Sequence, residues 1–144
     1  MTIRYAGAED FPVLRRYDRH VPAEALRDGI AAKRVLAAFH GESLAGWLRY
    51  NLFWDNTPFV NMLYCLEDCR GQGYGGRLLR YWEAEMEKAG FRQVLTSTLS
   101  NEQAQFFYRK HGYADCGALL LPGEPLEIIL RKDLAGCGAA HGPA

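Results

Sequence analysis

Leu63-Tyr64-Cys65-Leu66-Glu67-Asp68-Cys69-Arg70-Gly71-Gln72-Gly73-Tyr74-Gly75-Gly76-Arg77-Leu78-Leu79 is the stretch whose reading decides the fold. Its first four residues close an apolar strand. A short loop follows with glycine at 71, 73, 75 and 76, and an amphipathic helix begins beyond it. Glycine costs backbone entropy, so this density calls for a reason. A loop at a helix N-terminus presents free N–H groups and the positive end of the helix dipole, which together make an anion site. Missing side chains let a phosphate approach that backbone closely. The stretch predicts a phosphate cradle.

Working outward toward the N-terminus, Phe59 to Leu66 is the strand that feeds the loop, preceded by a turn at Asp55-Asn56-Thr57-Pro58. A long strand runs from Leu44 to about Trp54. Period two places Trp47, Arg49, Asn51 and Phe53 on one face and Leu48, Tyr50, Leu52 and Trp54 on the other. His40-Gly41-Glu42-Ser43 has hairpin composition and joins it to a strand at Val35 to Phe39. Further back lie a first strand at Thr2 to Tyr5, a helix from about Asp10 to Asp18, and a second that Pro22 opens and that runs to about Ile30.

Toward the C-terminus, the helix after the loop shows Leu78, Leu79, Trp82, Met86 and Ala89 on one face. Arg77, Arg80, Glu83, Glu85, Glu87 and Lys88 are expected mostly outside. Gly90 stops it. Val94 to Leu99 is a β-branched strand, expected parallel to the strand before the loop through a right-handed crossover. Ser100-Asn101-Glu102-Gln103 reads as a capping box, with Asn101 a candidate N-cap. It opens a helix carrying Ala104, Phe107, Tyr108 and His111. Strands at Ala118 to Leu121 and Leu126 to Arg131 follow, joined by a turn at Pro122-Gly123-Glu124-Pro125. The Gly/Ala-rich residues 135–144 are expected to form a flexible tail, leaving 1–134 as a single domain.

Bulk properties narrow the function. Lysine plus arginine balance aspartate plus glutamate, 17 against 17, so the chain lacks the basic footprint of a nucleic-acid binder. No apolar run approaches the ~18 residues of a membrane span. The N-terminus, Met1-Thr2-Ile3-Arg4-Tyr5, lacks signal-peptide character. Cys65 and Cys69 have the wrong spacing for a zinc knuckle, and no Cys or His follows at ligand distance, so no metal site is expected. A reduced, cytoplasmic protein is the resulting expectation.

Three kinds of phosphate loop compete for residues 70–77. A P-loop needs Lys and then Ser/Thr after its last glycine, whereas Gly75 is followed by Gly76-Arg77. A dinucleotide fingerprint needs G-x-G-x-x-G opening the domain and an acidic residue closing the next strand. Here the pattern is G-x-G-x-G-G, it follows a meander, and the next strand ends Thr98-Leu99-Ser100. Arg70-Gly71-Gln72-Gly73-Tyr74-Gly75 instead resembles the [Q/R]-x-x-G-x-[G/A] motif of the Gcn5-related N-acetyltransferase (GNAT) superfamily. A second segment, running from Asn101 through Ala104, Phe107 and Tyr108 to Gly112-Tyr113, resembles that family's N-x-x-A-x-x-F-Y-x-x-x-G-[F/Y] helix. The order of elements agrees with the family to about Asp133.

The resemblance implies an α/β (α+β) GNAT fold, a mixed and mostly antiparallel seven-stranded sheet with helices on both faces. It implies acetyl-CoA as the acyl donor, with the pyrophosphate on the amides of Gly71, Gln72, Gly73, Tyr74, Gly75 and Gly76. Arg70 then reaches a phosphate or orders the loop. The pantetheine arm pairs with Leu63, Tyr64 and Cys65, Asn101 contacts the CoA arm, and Tyr108 is the general acid. The implied reaction is direct attack of a primary amine on the thioester. The amine belongs to a small molecule or to a peptide or protein. Relatives with a carboxylate base often carry it where this chain has Phe59 and Thr96. Glu67, Glu124, Glu127 and a water chain past Tyr50 are the remaining candidates for the base.

The residues leave other readings open. Tyr108 is also placed for core packing, and Arg49, Asn51 and Asn61 either face solvent or line the acceptor pocket. Trp47, Phe53 and Trp54 read as core. A CoA-binding sensor or interaction module without catalysis, and a transferase of bulkier acyl groups, are the alternatives. The oligomeric state is open, a homodimer included.

Overall fold

The structure is a computed structural model that describes residues 1–134; the expected flexible tail at 135–144 lies outside the described residues. Seven strands form one sheet: β1 (Thr2–Tyr5), β2 (Val35–His40), β3 (Ser43–Phe53), β4 (Thr57–Cys65), β5 (Gln93–Leu99), β6 (Ala114–Leu119) and β7 (Glu127–Asp133). Their order is β1-β2-β3-β4-β5-β7-β6. The expected parallel pair is present, β4 against β5, while β1–β2, β2–β3, β5–β7 and β6–β7 are antiparallel. Four helices accompany the sheet: α1 (Phe11–Tyr17), α2 (Ala23–Ala31), α3 (Tyr74–Lys88) and α4 (Ala104–Lys110). Contacts group the described residues into two compact units, 1–51 with 62–82, and 52–61 with 83–134.

In the first unit, Leu14 of α1 and Leu26 and Ile30 of α2 pack with Val35, Ala37, Phe39, Leu44 and Trp47. Leu36 and Leu48, on the opposite pleat of β2 and β3, are fully buried too, and Tyr50 meets Trp82 of α3 at 5.6 Å between ring centroids. The two central strands are therefore covered on both faces, which is why β2 is an unbroken apolar run rather than an alternating one. Trp47 is core as expected. Its indole Nε1 donates to Asp18 at 3.1 Å, and Arg49 Nε donates to the same carboxylate at 2.8 Å. Arg49 thus closes a buried ion pair, while Asn51 and Asn61 are exposed.

In the second unit the β3–β4 connection is tighter than the sequence suggests. The turn is Trp54-Asp55, both left-handed at φ 55° and 63°, closed by Asn56 N–H on the Phe53 carbonyl at 3.2 Å. Positive φ at both central residues matches the twist of a hairpin, so Thr57 and Pro58 belong to β4 rather than to the turn. Trp54 accordingly stands out at 78% exposure, and Phe53 is exposed with it. β6 begins at Ala114, four residues ahead of the expected Ala118. Its register shifts between Asp115 and Gly117 and all six of its residues are exposed, which erases the alternation that marks a strand.

α3 buries Leu78, Leu79, Trp82 and Met86 as expected, but two assignments change. Ala89 is exposed beyond the helix end, and Glu83 is buried. Glu83 accepts from the Tyr113 hydroxyl at 2.7 Å and from Lys132 Nζ at 2.8 Å. These two bonds offset the desolvation of the carboxylate, and an amphipathic pattern cannot show partners from two distant segments.

Candidate active site

The glycine loop lies in the first unit and its backbone is that of an anion cradle. A single 3-10 turn at Glu67–Cys69 leaves β4, and the chain then passes through left-handed Gly71 (φ 77°) and Gly73 (φ 82°). A side chain at either position would be strained. Arg77 N–H bonds to the Gly73 carbonyl at 3.1 Å, so Gly73 accepts the first bond of α3. The N–H groups of Gly73, Tyr74, Gly75 and Gly76 consequently precede the intrahelical ladder. No acidic residue sits in the first turn of this 15-residue helix. A Cβ built on Gly71 or Gly73 meets nothing within 4 Å, so the space over the loop is open. Open space, free donors and the helix dipole fit a phosphate.

The flanks hold this backbone in place. Arg70 Nε donates to the Cys65 carbonyl at 3.0 Å and its guanidinium stacks 5.1 Å from the Tyr64 ring centroid. In this pose Arg70 ties the loop entry to the end of β4. Gln72 Nε2 donates to the Asp68 carbonyl at 3.2 Å. Tyr74 is buried, and its hydroxyl lies 3.2 Å from His40 Nδ1, a bond that pins the first turn of α3 to the end of β2. His40 had looked like a plain turn residue in the sequence. Leu63 and Cys65 are half-buried and Tyr64 is exposed at the end of β4. Burial pushes the Cys65 thiol above its ordinary pKa, so it is not poised as a nucleophile.

Tyr108 lies in the second unit and is 5% exposed. Its ring stacks edge-on against Phe107 and Tyr113, each at 5.3 Å between centroids. Its hydroxyl neighbours the side chain of Thr96. Thr96 is itself buried, and its Oγ1 donates to the Val60 carbonyl at 3.2 Å. Burial pushes the Tyr108 pKa up to about 12, with Thr96 acting the other way. The phenol is therefore protonated at any pH the protein meets. Two residues along the same pleat of β5, Thr98 Oγ1 is buried without a partner, as is Trp82 Nε1 in α3.

Asn101 is not a helix cap. It sits exposed in the turn before α4, and Gln103 occupies the N-cap with no side-chain bond. The capping box fails because Glu102 turns back to accept the Leu99 N–H at 2.9 Å, while Gln105 Nε2 donates to the Ser100 and Glu102 carbonyls at 2.8 Å each. Among the candidate bases, Glu67 and Glu124 are exposed and Glu127 is half-buried. Phe59 lines an apolar cavity of about 330 Å³ with Phe53, Trp54, Leu95 and Ile129. The described residues hold no cluster of His, Cys, Asp or Glu fit for a metal ion.

The acetyltransferase (GNAT) family profile matches residues 5–113. Among solved structures, the chain is similar to a ribosomal-protein-alanine N-acetyltransferase from Brucella melitensis at a TM-score of 0.79 and 20% identity, over 93% of this chain and 100% of that one. It is similar to the ribosomal-protein-S18-alanine N-acetyltransferase of Escherichia coli at 0.77 and 16%, over 92% and 93%. The PaiA N-acetyltransferase of Thermoplasma acidophilum, in complex with coenzyme A, gives 0.77 and 20%, over 92% and 98%. Likeness at these identities shows the fold.

Proposed function

The chain belongs to the acetyltransferase (GNAT) family, and from that premise we propose that it moves an acetyl group from acetyl-CoA to a primary amine by direct transfer in a ternary complex. The acceptor amine sits on a small molecule or on a peptide or protein. As an acetyltransferase it uses acetyl-CoA and an acceptor. The observation that carries the donor assignment is the backbone of residues 71–77, two left-handed glycines leading into four N–H groups ahead of the ladder of α3.

Bound acetyl-CoA supplies an activated acyl thioester. Gly73, Tyr74, Gly75 and Gly76 offer amide donors to its pyrophosphate, with Gly71 and Gln72 completing the loop and Arg70 holding its entry. Leu63, Tyr64 and Cys65 offer main-chain groups at the end of β4 for strand-like pairing with an extended arm. Asn101, exposed before α4, keeps the CoA-arm role that the family resemblance gives it as part of this proposal. Tyr108 Oη keeps its proton and offers it to the departing sulfur, a role worth typically 10²–10⁴-fold. An acceptor ammonium must shed a proton before attack, and no residue is assigned to that step. One catalytic domain over residues 1–134 is part of this reading, as is a cytoplasmic setting that keeps Cys65, Cys69 and Cys116 as free thiols.

Release of free thiol from acetyl-CoA across a panel of amines, amino acids and peptide N-termini tests the proposal. Turnover with at least one acceptor class well above hydrolysis is expected. The absence of carboxylates at Phe59 and Thr96 favours a second reading, a CoA-binding module without catalysis. Saturable CoA binding with no acceptor-dependent turnover would decide for it.

A further inference from the structure

One large cavity is lined by none of the residues assigned above. It occupies the open end of the α1–α2 hairpin, at the opposite end of these helices from their connection through Asp18 and Pro22. Its volume is about 600 Å³, within the range of small-molecule sites. Ala6, Phe11, Ile30 and Ala31 supply apolar walls, and Arg27 and Lys33 are the charged residues among the lining. Glu9 is not among them, although its carboxylate lies over Gly7 at the rim. Two cations against one neighbouring carboxylate leave a single positive charge, which matches a monoanion.

Both cations are held in ways that stability alone does not ask for. Lys33 follows the end of α2 at φ 59°, where Lys33 N–H bonds to the Ile30 carbonyl at 3.0 Å and Arg34 N–H to the Gly29 carbonyl at 2.8 Å. This is the left-handed position after a helix that glycine normally takes, and any other residue is strained there. Strain kept at a cavity wall is a pointer to function. Arg27 places its guanidinium carbon 4.1 Å from the Phe11 ring centroid, a cation–π contact that holds the charge at the cavity wall. Neither cation forms an ion pair among the described residues.

We propose that this cavity binds a small monocarboxylate with an apolar body, the carboxylate on Arg27 and Lys33 and the body against Ala6, Phe11 and Ile30. The site is independent of acetyl transfer, since none of its residues belongs to the donor loop or to the surroundings of Tyr108.

Calorimetric titration of the full chain with 3-phenylpropanoate, indole-3-acetate and 4-methylpentanoate, each beside its neutral primary amide, tests the assignment. At least one acid should saturate and bind about tenfold or more tightly than its amide, because charge-assisted bonds to the guanidinium are lost in the amide. Arg27→Gln and Lys33→Gly should each weaken that acid about tenfold or more and leave the amide unchanged. Lys33→Gly should melt at or above the parent temperature, since glycine relieves the left-handed backbone, so lost binding there cannot be laid to lost folding. Thiol release from acetyl-CoA should be unaltered in both variants. No saturation by any of the three acids, equal binding of acid and amide, or parental affinity in the variants overturns the proposal.

Discussion

Replacing Tyr108 with phenylalanine separates the two roles this residue can hold, core packing and proton donation. The ring survives the change, and with it the edge-on contacts to Phe107 and Tyr113. What goes is one buried hydroxyl. Thr96 keeps its bond to the Val60 carbonyl, so no donor is stranded, and the stability cost should stay near 1 kcal/mol. The kinetic cost is worked differently. A pKa of about 12 would make a poor acid toward a free thiol of pKa ~8.5 in water. Burial, however, raises both groups in the same direction, because each passes from neutral to anionic, so the mismatch shrinks where the phenol sits. Donation then retains its usual worth, and Tyr108→Phe should lower kcat by 10²–10⁴-fold. The assay is steady-state thiol release at saturating acetyl-CoA, with thermal unfolding as the control for folding. Because the phenol stays protonated far above neutrality, the parent kcat/KM should show no alkaline fall from Tyr108 up to about pH 10. A variant within threefold of the parent kcat and of normal melting temperature refutes the acid role and leaves Tyr108 as packing.

Gly73→Ala forces a Cβ onto a left-handed residue, costing about 1–2 kcal/mol of stability. It should raise the KM for acetyl-CoA about tenfold with a smaller effect on kcat, and an unchanged KM would count against the cradle. Asp18→Ala strips a fully buried carboxylate from Arg49 and the Trp47 indole, and should destabilise by about 3–5 kcal/mol in denaturant titration. The folded-state pKa of Tyr108 is raised, from the ordinary 10.0 to about 12, so its contribution to stability is complete below pH 10 and is lost as pH climbs toward 12. Ionising the phenol in place costs roughly 3 kcal/mol, a penalty distinct from the loss of the hydroxyl in Tyr108→Phe, and Tyr113 is displaced in the same direction by burial and by Glu83. Melting temperature should therefore fall steeply from pH 10 upward in the parent and less steeply in Tyr108→Phe.

Most of the sheet was legible because its signals are local. β2, β3 and β5 are apolar or β-branched runs bounded by turn residues, and the helix stops at Gly90 and Gly112 follow from left-handed backbone at φ 97° and 95°. The parallel pairing of β4 with β5 followed from the crossover rule, and the pairs Phe59–Leu95 and Val60–Thr96 bear it out. What misled were positions settled by partners distant in sequence. Glu83 lies on the charged side of its helical pattern, yet Tyr113 and Lys132, 30 and 49 residues away, draw it inside. β6 was foreshortened because Arg109 of α4 pairs with Asp115 and its own residues lack a buried face. Trp54, which reads as core in the sequence, is turned outward by the two-residue turn that contains it.

The same division explains why the donor could be read from the chain and the acceptor could not. A phosphate cradle is made of backbone, and backbone geometry is written in the sequence wherever glycine is obligatory, as at Gly71 and Gly73. Recognition of an amine depends instead on which side chains converge in space, and no spacing rule encodes that. Thr96 illustrates the limit. In the sequence it registers only as the lack of a carboxylate, whereas in the fold it bonds the Val60 carbonyl and neighbours the Tyr108 hydroxyl. A threonine in a strand carries no mark of such a place. Its meaning comes from the crossover that lays β5 beside β4 and from the helix that returns Tyr108 to that strand.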